Sequence, residues 1–504
     1  MSMFSLKTIQ LILDEQQVRY TVFRVSQDGL LPYRPDHIPL SFFSFSSKDI
    51  RKDTIFIGLR GRKHDGSDFA CEAITKGAKV VMINSKKSLK LYKSLGEHSA
   101  FVIVTQNTIK AFHVIAEYKR NAMSGIVLCL TGSYGKTTIK EMIVSGLRKV
   151  LANAYYDEDV LCTHVAENEG NRNTMIGVMQ TICNVDKDLK CLILEVGMSE
   201  KGEIKEMVTL AKPDISMLVS VSSAHVGSFN TIQEIHKAKL EVFHEKCLCI
   251  VNMDINYFDE VYSFLKKSER EIILYGGAGT EYRLRNFTSH FTKEAFSTDV
   301  EAVVCGNTMK YTIGDIGNHI VSNSIAALCA ISSVCKVLDI SNYESILFEC
   351  SDIFQEFKAL QGRGAATFCN IKTERFLLLD ESYNNPPNAI MAMIDRAIMF
   401  GKAMNGRTIA VLGDMAELGN LSHKEHVRAL TYVADSSVDM VFLVGEHMKD
   451  ALSTIEQKKN FRLFHTNDEI INELNNVLRQ DDVLVVKGAR TMALNEIVDA
   501  FARK

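Results

Sequence analysis

The segment GIVLCLTGSYGKTTIKEM, residues 125–142, constrains the fold more than any other part of the chain. An apolar run enters a glycine-containing loop, and the loop runs directly into a helical pattern with Ile139, Met142, Ile143 and Leu147 on one face. A strand, loop and helix in that order belong to a parallel α/β sheet. Gly132 and Gly135 let the backbone approach an anion, and the start of the helix offers unpaired N–H groups and the positive end of its dipole. Lys136 suits the β- and γ-phosphates of a nucleotide, and the Thr137 hydroxyl suits Mg²⁺. One detail departs from the usual phosphate loop. Only Ser133 and Tyr134 separate Gly132 from the Gly135–Lys136 pair, where about four residues are usual.

Short apolar runs alternate with helical patterns through most of the chain. TIFIGL (54–59), KVVMI (79–83) and FVIV (101–104) form a first strand-like set, with the helical stretch SDFACEAITKGA between the first two. GIVLCL (125–130), CLILEV (191–196) and ISMLVSV (215–221) form a second. RFLLLD (375–380), TIAVLGD (408–414), MVFLVG (440–445) and DVLVVKG (482–488) form a third. Residues 275–315 lack helical periodicity, are rich in Thr, Tyr, Phe and Gly, and predict β-hairpins attached to the second set. The expected fold is α/β in three domains, 1–118, 119–350 and 351–504. The central one is a parallel-sheet ATPase domain with β-hairpin additions and the last is Rossmann-like. The first 40 residues have no clear place.

A length of 504 residues exceeds what one core accommodates. The formal charge of −3 gives no electrostatic reason to expect nucleic acid as a partner. None of the 12 cysteines is spaced C-x-x-C, and their apolar neighbours predict reduced core thiols. The start lacks a basic segment followed by a long apolar run, and no stretch has the length of a membrane span. The expectation is a cytoplasmic chain without membrane insertion, acting as a monomer.

Further candidates follow the loop in order. Glu195 ends CLILEV, where a carboxylate can hold Mg²⁺ beside phosphates. His225 lies just past the next strand end, in the crevice where open α/β sheets bind ligands, and Lys239 follows on a helical pattern. His423 and His426 in LSHKEHVRAL are expected on a surface helix, and KKSLKLYKS (86–94) as a solvated basic face. Asp414 and Glu417 in VLGDMAELG are possible substrate contacts within a strand-end turn.

Taken in order, these segments resemble the Mur ligases, which use ATP to join a carboxylate to an amine and whose loop reads T-G-x-x-G-K-[TS]. The likeness runs through SKDIRKDTIFIGLRGRKHDGSDF, LTGSYGKTTIKEM, GNRNTMIGV, LEVGMSEKGEI, SSAHVGSF…HKAKLEVF, GNHIVSNSIAAL, LLLDESYNNPPNAI, VLGDMAELG and VVKGARTMALNEIV. It implies an acyl phosphate formed from ATP and then attacked by an amine. The implied substrates are a UDP-linked muramoyl peptide with D-Ala-D-Ala, or an analogous acid and amine. It implies that Gly132, Ser133, Gly135, Lys136, Thr137 and Thr138 hold phosphate. Thr137 and Glu195 would ligate one Mg²⁺, with His225 and a carbamylated Lys239 serving a second. Asn171, His319, Asn323, Arg363 and Asp380 would contact the nucleotide. Ser47, Asn173, Tyr383, Asn384, Lys487 and Arg490 would contact the substrates.

Some positions depart from the family pattern. Ser46-Ser47-Lys48 replaces Asp-Ser-Arg on the uridine side, and a lysine does not reproduce a bidentate arginine contact. Pro386 replaces the second asparagine of a YNANP segment, the metal-side motif is shortened to AHVGSF, and Tyr134 stands where Asn is more usual. Two further readings stay open: a paralogue joining a different acid and amine, and a non-catalytic nucleotide-binding module.

Overall fold

The computed structural model describes residues 4–26, 29–33, 37–61, 64–84, 100–155, 164–222, 229, 231–244, 246–292, 295–385, 387–456 and 461–502. They divide into two compact units, one of residues 1–125, 166–192 and 209–212, the other of residues 126–165, 193–208 and 213–504.

The first unit holds a six-stranded sheet in the order Gly29–Pro32, Tyr20–Ser26, Phe101–Thr105, Val80–Ile83, Thr54–Ile57, Phe42–Ser44. The last four strands pair in parallel, whereas Tyr20–Ser26 runs antiparallel to both its neighbours. The sequence did not place that antiparallel edge, because YTVFRVS alternates too weakly to stand out. Val25, Phe56, Val81 and Val102 bury one face against Ala70, Ala73 and Ile74 of helix Ala70–Thr75. Phe43 is fixed from helix Met175–Asn184: its N–H donates to Asn184 Oδ1 at 2.7 Å and its carbonyl accepts from Gln180 at 3.0 Å.

The central sheet has the order Ile272–Tyr275, Leu248–Asn252, Ile215–Leu218, Ile126–Thr131, Cys191–Glu195, Val165–Glu167, its first four strands belonging to the second unit. The first four strands pair in parallel. Helix Lys136–Tyr155 follows the loop directly and packs against helix Asn318–Val337. The latter is long and apolar enough to cross a membrane by composition, but 78% of its most apolar window is buried inside the protein. Three antiparallel strands, Arg283–Phe291, Phe296–Val304 and Asn307–Ile313, form the expected hairpins.

A last six-stranded sheet has the order Ala365–Ile371, Glu374–Glu381, Val483–Lys487, Thr408–Gly413, Met440–Val444, Phe461–Phe464, parallel except for its first pair. Both faces are covered, which explains the unbroken apolar runs read in the sequence. Leu377, Leu379, Leu412 and Val485 face Ile390, Met393, Ala397 and Phe400 of helix Pro387–Met404. Leu378, Val411, Leu484 and Val486 face Ile470, Leu474, Ile497 and Phe501 on the other side. The described cysteines are free thiols, most of them buried.

Candidate active site

The short loop is shaped as much by its neighbour strand as by any anion it could hold. A Cβ at Gly132 would lie 2.8 Å from Ser220 Oγ and 3.0 Å from its backbone nitrogen, so only glycine permits this approach. The Ser220 hydroxyl donates to Tyr134 O at 2.8 Å and accepts from Tyr134 N at 3.0 Å. Ser133 N donates to Ser220 O at 3.0 Å, and Ser133 Oγ accepts from Ser222 N at 2.9 Å. Gly135 takes a left-handed φ of +80° and turns the chain into the helix, which begins at Lys136. Ser220 and Ser222 were not singled out in the sequence. Their signal was present as two small hydroxyl residues in the run leading from strand Ile215–Leu218 toward His225. His225 itself lies outside the described residues, as do Pro386 and the 86–94 basic segment.

Two side chains predicted to serve a metal meet directly. Thr137 Oγ1 donates to Glu195 Oε2 at 2.6 Å, and both residues are buried, Glu195 to 1% exposure at the end of its strand. Lys136 Nζ donates to Gly132 O at 2.7 Å. Burial holds its pKa below the usual lysine value and Arg363 lowers it further, while Glu195 opposes both. Lys239, only 2% exposed on helix Ile232–Leu240, is pushed well below the ordinary lysine range by burial and then by the Lys136 charge. Among the described residues, no cluster of three or more His, Cys, Asp or Glu side chains forms a ready-made metal cage.

The nucleotide-side motif places Asn323 against the loop, its Oδ1 3.2 Å from where a Gly135 Cβ would stand. His319, one turn earlier, has its pKa pushed down to about 4 by desolvation and by the Arg396 charge, with Lys487 adding to the effect and Asp315 opposing it. Arg396 carries a buried network: it donates to Asp315 Oδ1 at 2.6 Å, to Gly364 O at 2.6 Å and to Ile316 O at 2.9 Å. It shares the apolar face of Met393, Ala397 and Phe400, and a lone arginine on such a face was the sequence signal for a buried partner.

Asp380 is occupied by the protein. Its Oδ2 accepts from Gly362 N at 2.6 Å and its Oδ1 from Ser382 Oγ at 2.6 Å, so it shapes the turn that carries Arg363. Arg363 lies 4.2 Å over the Tyr383 ring, and Arg490 lies 5.7 Å from the same ring centroid. Lys487 is buried and donates to Asn384 O at 2.9 Å. The LSHKEHVRAL histidines need one correction. His426 is fully buried, with Nε2 accepting from Met415 N at 2.9 Å and Nδ1 2.7 Å from Ser422 O.

The substrate-side residues of the other unit form their own group. Ser47 is buried, Lys48 is exposed, and Asp49 lies 3.2 Å from Arg51 and 3.9 Å from Arg172. Asn171 is exposed and Asn173 half-buried on either side of Arg172.

Three family models match the chain in sequence: the Mur ligase family catalytic domain at residues 39–126, the Mur ligase middle domain at 130–331, and the Mur ligase glutamate ligase domain at 370–490. The UDP-N-acetylmuramoyl-tripeptide–D-alanyl-D-alanine ligase of Rickettsia prowazekii is 26% identical over 91% of this chain and 94% of its own. The Escherichia coli enzyme of the same name is 26% identical over 92% and 94%. In three dimensions the fold is similar to MurF from Acinetobacter baumannii, with a TM-score of 0.76 at 20% identity over 98% of both chains. It is also similar to Thermotoga maritima MurF in complex with ADP, with a TM-score of 0.70 at 23% identity over 92% of this chain and 97% of the other. The loop, its strand-end carboxylate and these matched segments lead to one conclusion: the chain belongs to the Mur ligase family.

Proposed function

We propose that this chain joins D-alanyl-D-alanine to UDP-N-acetylmuramoyl-tripeptide at the expense of ATP. The observation that carries the proposal is the cluster of half-buried Lys136 with buried Thr137, Glu195 and Lys239 at the phosphate loop, on a chain matched almost end to end by ligases of that name. In this reading residues 1–118 take the UDP-linked acceptor, 119–350 take ATP, and 351–504 take the amine. ATP supply places the reaction in the cytoplasm.

The peptide carboxylate attacks the γ-phosphorus of ATP, giving an acyl phosphate and ADP. The free amine then attacks the acyl carbon, and the tetrahedral adduct expels phosphate to leave the amide. Lys136 neutralises charge on the transferring phosphoryl group, and the loop N–H groups align it. Arg363 stands near enough to act on Lys136 and supplies further positive charge there.

The residues fit a hard cation. Thr137 and Glu195 place a hydroxyl and a carboxylate oxygen together in a buried, phosphate-adjacent position, the donor types Mg²⁺ prefers. Burial shifts Lys239 toward its neutral form, the form that reacts with CO₂, so Lys239 suits carbamylation and would then offer oxygen donors to a second Mg²⁺. Bound there, Mg²⁺ would offset phosphate charge.

Phosphate release tests the proposal, with ATP and Mg²⁺ present and UDP-MurNAc-tripeptide and D-Ala-D-Ala offered together and separately. Turnover only with both supports it. Robust turnover with another acid–amine pair and none with this one would overturn the substrate assignment in favour of the paralogue reading.

A further inference from the structure

Two thiols stand where the segment after helix Ile232–Leu240 enters strand Leu248–Asn252, and the sulfurs of Cys247 and Cys249 lie 3.9 Å apart. Residues two apart in an extended chain share one face, so the C-x-C spacing aims both side chains the same way. Cys249 is fixed from either side. Its N–H donates to Glu271 O at 2.9 Å, and it stands in register with Ser216 of the neighbouring strand. Cys247 precedes the strand and is held less closely, by a 3.4 Å bond from its N–H to His244 O and a 3.1 Å bond from its thiol to the same oxygen. The pair has one anchored sulfur and one that can advance.

The surroundings favour a thiolate at Cys247. The Cys249 thiol beside it holds the Cys247 pKa below the ordinary thiol value, and the Ser216 hydroxyl and the Arg270 charge add to this against burial. Arg270 is itself anchored, its Nη1 donating to Phe243 O at 2.9 Å. Thiols elsewhere in the core go the other way: burial pushes Cys183 and Cys335 up to about 12 and Cys369 up to about 11. The thiolate is the nucleophilic form, and a cation with a second thiol in reach is the setting of a reactive pair. Cys247 is 4% exposed and Cys249 fully buried, so the reagent that fits is no larger than a water molecule or two.

We propose that Cys247 and Cys249 form a dithiol site that a small hydroperoxide closes to a disulfide, disturbing the turn that follows Lys239. The Cys247 thiolate attacks one peroxide oxygen; the S–O bond forms, the O–O bond breaks, and the leaving oxygen takes up the proton Cys247 released. Cys249 then gives up its proton and attacks the Cys247 sulfur; the S–S bond forms, the S–O bond breaks, and hydroxide leaves with that proton as water. The two thiols lose two electrons and the peroxide gains them. Two residues of extended chain span about 6.6 Å between Cα atoms, close to the widest spacing a disulfide bridges, so closure draws Cys247 inward. The turn before it is tied to Lys239: Val242 N donates to Lys239 O at 3.1 Å, and Val242 O accepts from Ser216 Oγ at 2.8 Å. The effect on turnover rests on the ligase function proposed above, whereas the chemistry at the sulfurs does not.

The test treats the reduced full chain with hydrogen peroxide, blocks the remaining thiols and maps the peptides by mass. The peptide bearing Cys247 and Cys249 is expected to lose about 2 Da and to regain them with dithiothreitol. Cys249→Ser should trap Cys247 as a sulfenic acid, about 16 Da heavier and captured by dimedone. Over the same time course, phosphate release with ATP, Mg²⁺, UDP-MurNAc-tripeptide and D-Ala-D-Ala should fall about fivefold and recover on reduction. Cys247→Ser, whose hydroxyl keeps the donor to His244 O, should start at the wild-type rate and hold it under peroxide. Recovery of both cysteines as thiols while others oxidise overturns the site. A disulfide without loss of rate, or a rate lost equally in Cys247→Ser, overturns its effect on the turn after Lys239. A chain that closes the disulfide but never turns over these substrates supports the dithiol site and overturns the substrate reading instead.

Discussion

The phosphate-loop wall and the Arg363–Tyr383–Arg490 face make opposite use of their polar side chains. On the loop, Ser220, Ser133, Thr137, Glu195 and Lys136 are bonded to one another or to backbone. On the arginine face the backbone is pinned through Asp380 and Lys487, but the two guanidiniums have only an aromatic ring. The contrast separates two ways of preparing for an anion. The loop is rigid before its ligand comes, which suits a group whose charge must be stabilised during transfer. The arginine face leaves charge unspent, which suits recognition of a group that is present throughout.

If the loop side carries the chemistry, Lys136→Ala should lower kcat by about 10³-fold or more while leaving the urea midpoint nearly unchanged. Near-wild-type turnover in that variant would break the comparison outright. Arg396→Ala tests what ties the arginine face to the nucleotide motif. It strands Asp315 in a buried position and should lower stability by about 3–5 kcal/mol in urea unfolding. A variant as stable as wild type would show that the Gly364 turn does not depend on this pair. Ser220→Ala should act more gently. It removes both hydroxyl bonds to Tyr134 while keeping the chain path, so KM for ATP is expected to rise about tenfold with a stability loss of about 1–2 kcal/mol. An unchanged KM would mean that the Ser133 bonds to Ser220 O and Ser222 N hold the loop without the Ser220 hydroxyl.

The loop side was far more legible in the sequence than the rest. A phosphate loop is local: one strand, two glycines and a helix start lie within 18 residues, and its geometry follows from their order. Glu195 could be placed because a strand end is visible as the end of an apolar run. The hairpin block over 275–315 was legible for the same reason, as a stretch that lost helical periodicity. What escaped depends on long-range pairing. Ser220 meets Tyr134 across 86 residues, and Arg396 meets Asp315 across 81. The antiparallel edge at Tyr20–Ser26 exists through pairing with Phe101–Thr105, which no local pattern announces. His426 failed differently. LSHKEHVRAL is polar enough to pass for a surface helix, and only the fold turns this one ring inward beneath the GDMAEL loop.

That buried ring sharpens the comparison at the smallest scale, since it supports the backbone under Arg490. His426 accepts from Met415 N–H on Nε2 and faces Ser422 O with Nδ1, an arrangement open only to the neutral ring with its proton on Nδ1. Burial lowers its pKa, and His447 and His423 lower it further, against the raising effects of Ser422 O and Asp414. The folded pKa thus lies below the ordinary value of about 6.5, so the unfolded chain takes the proton more readily. The stabilisation is complete above that value and is lost as pH falls through it toward the folded pKa. In urea unfolding, wild type should therefore exceed His426→Gln by about 1 kcal/mol at pH 7.5, with the gap narrowing at pH 5.5. Curves that stay parallel over that range would show that the ring does not titrate with unfolding.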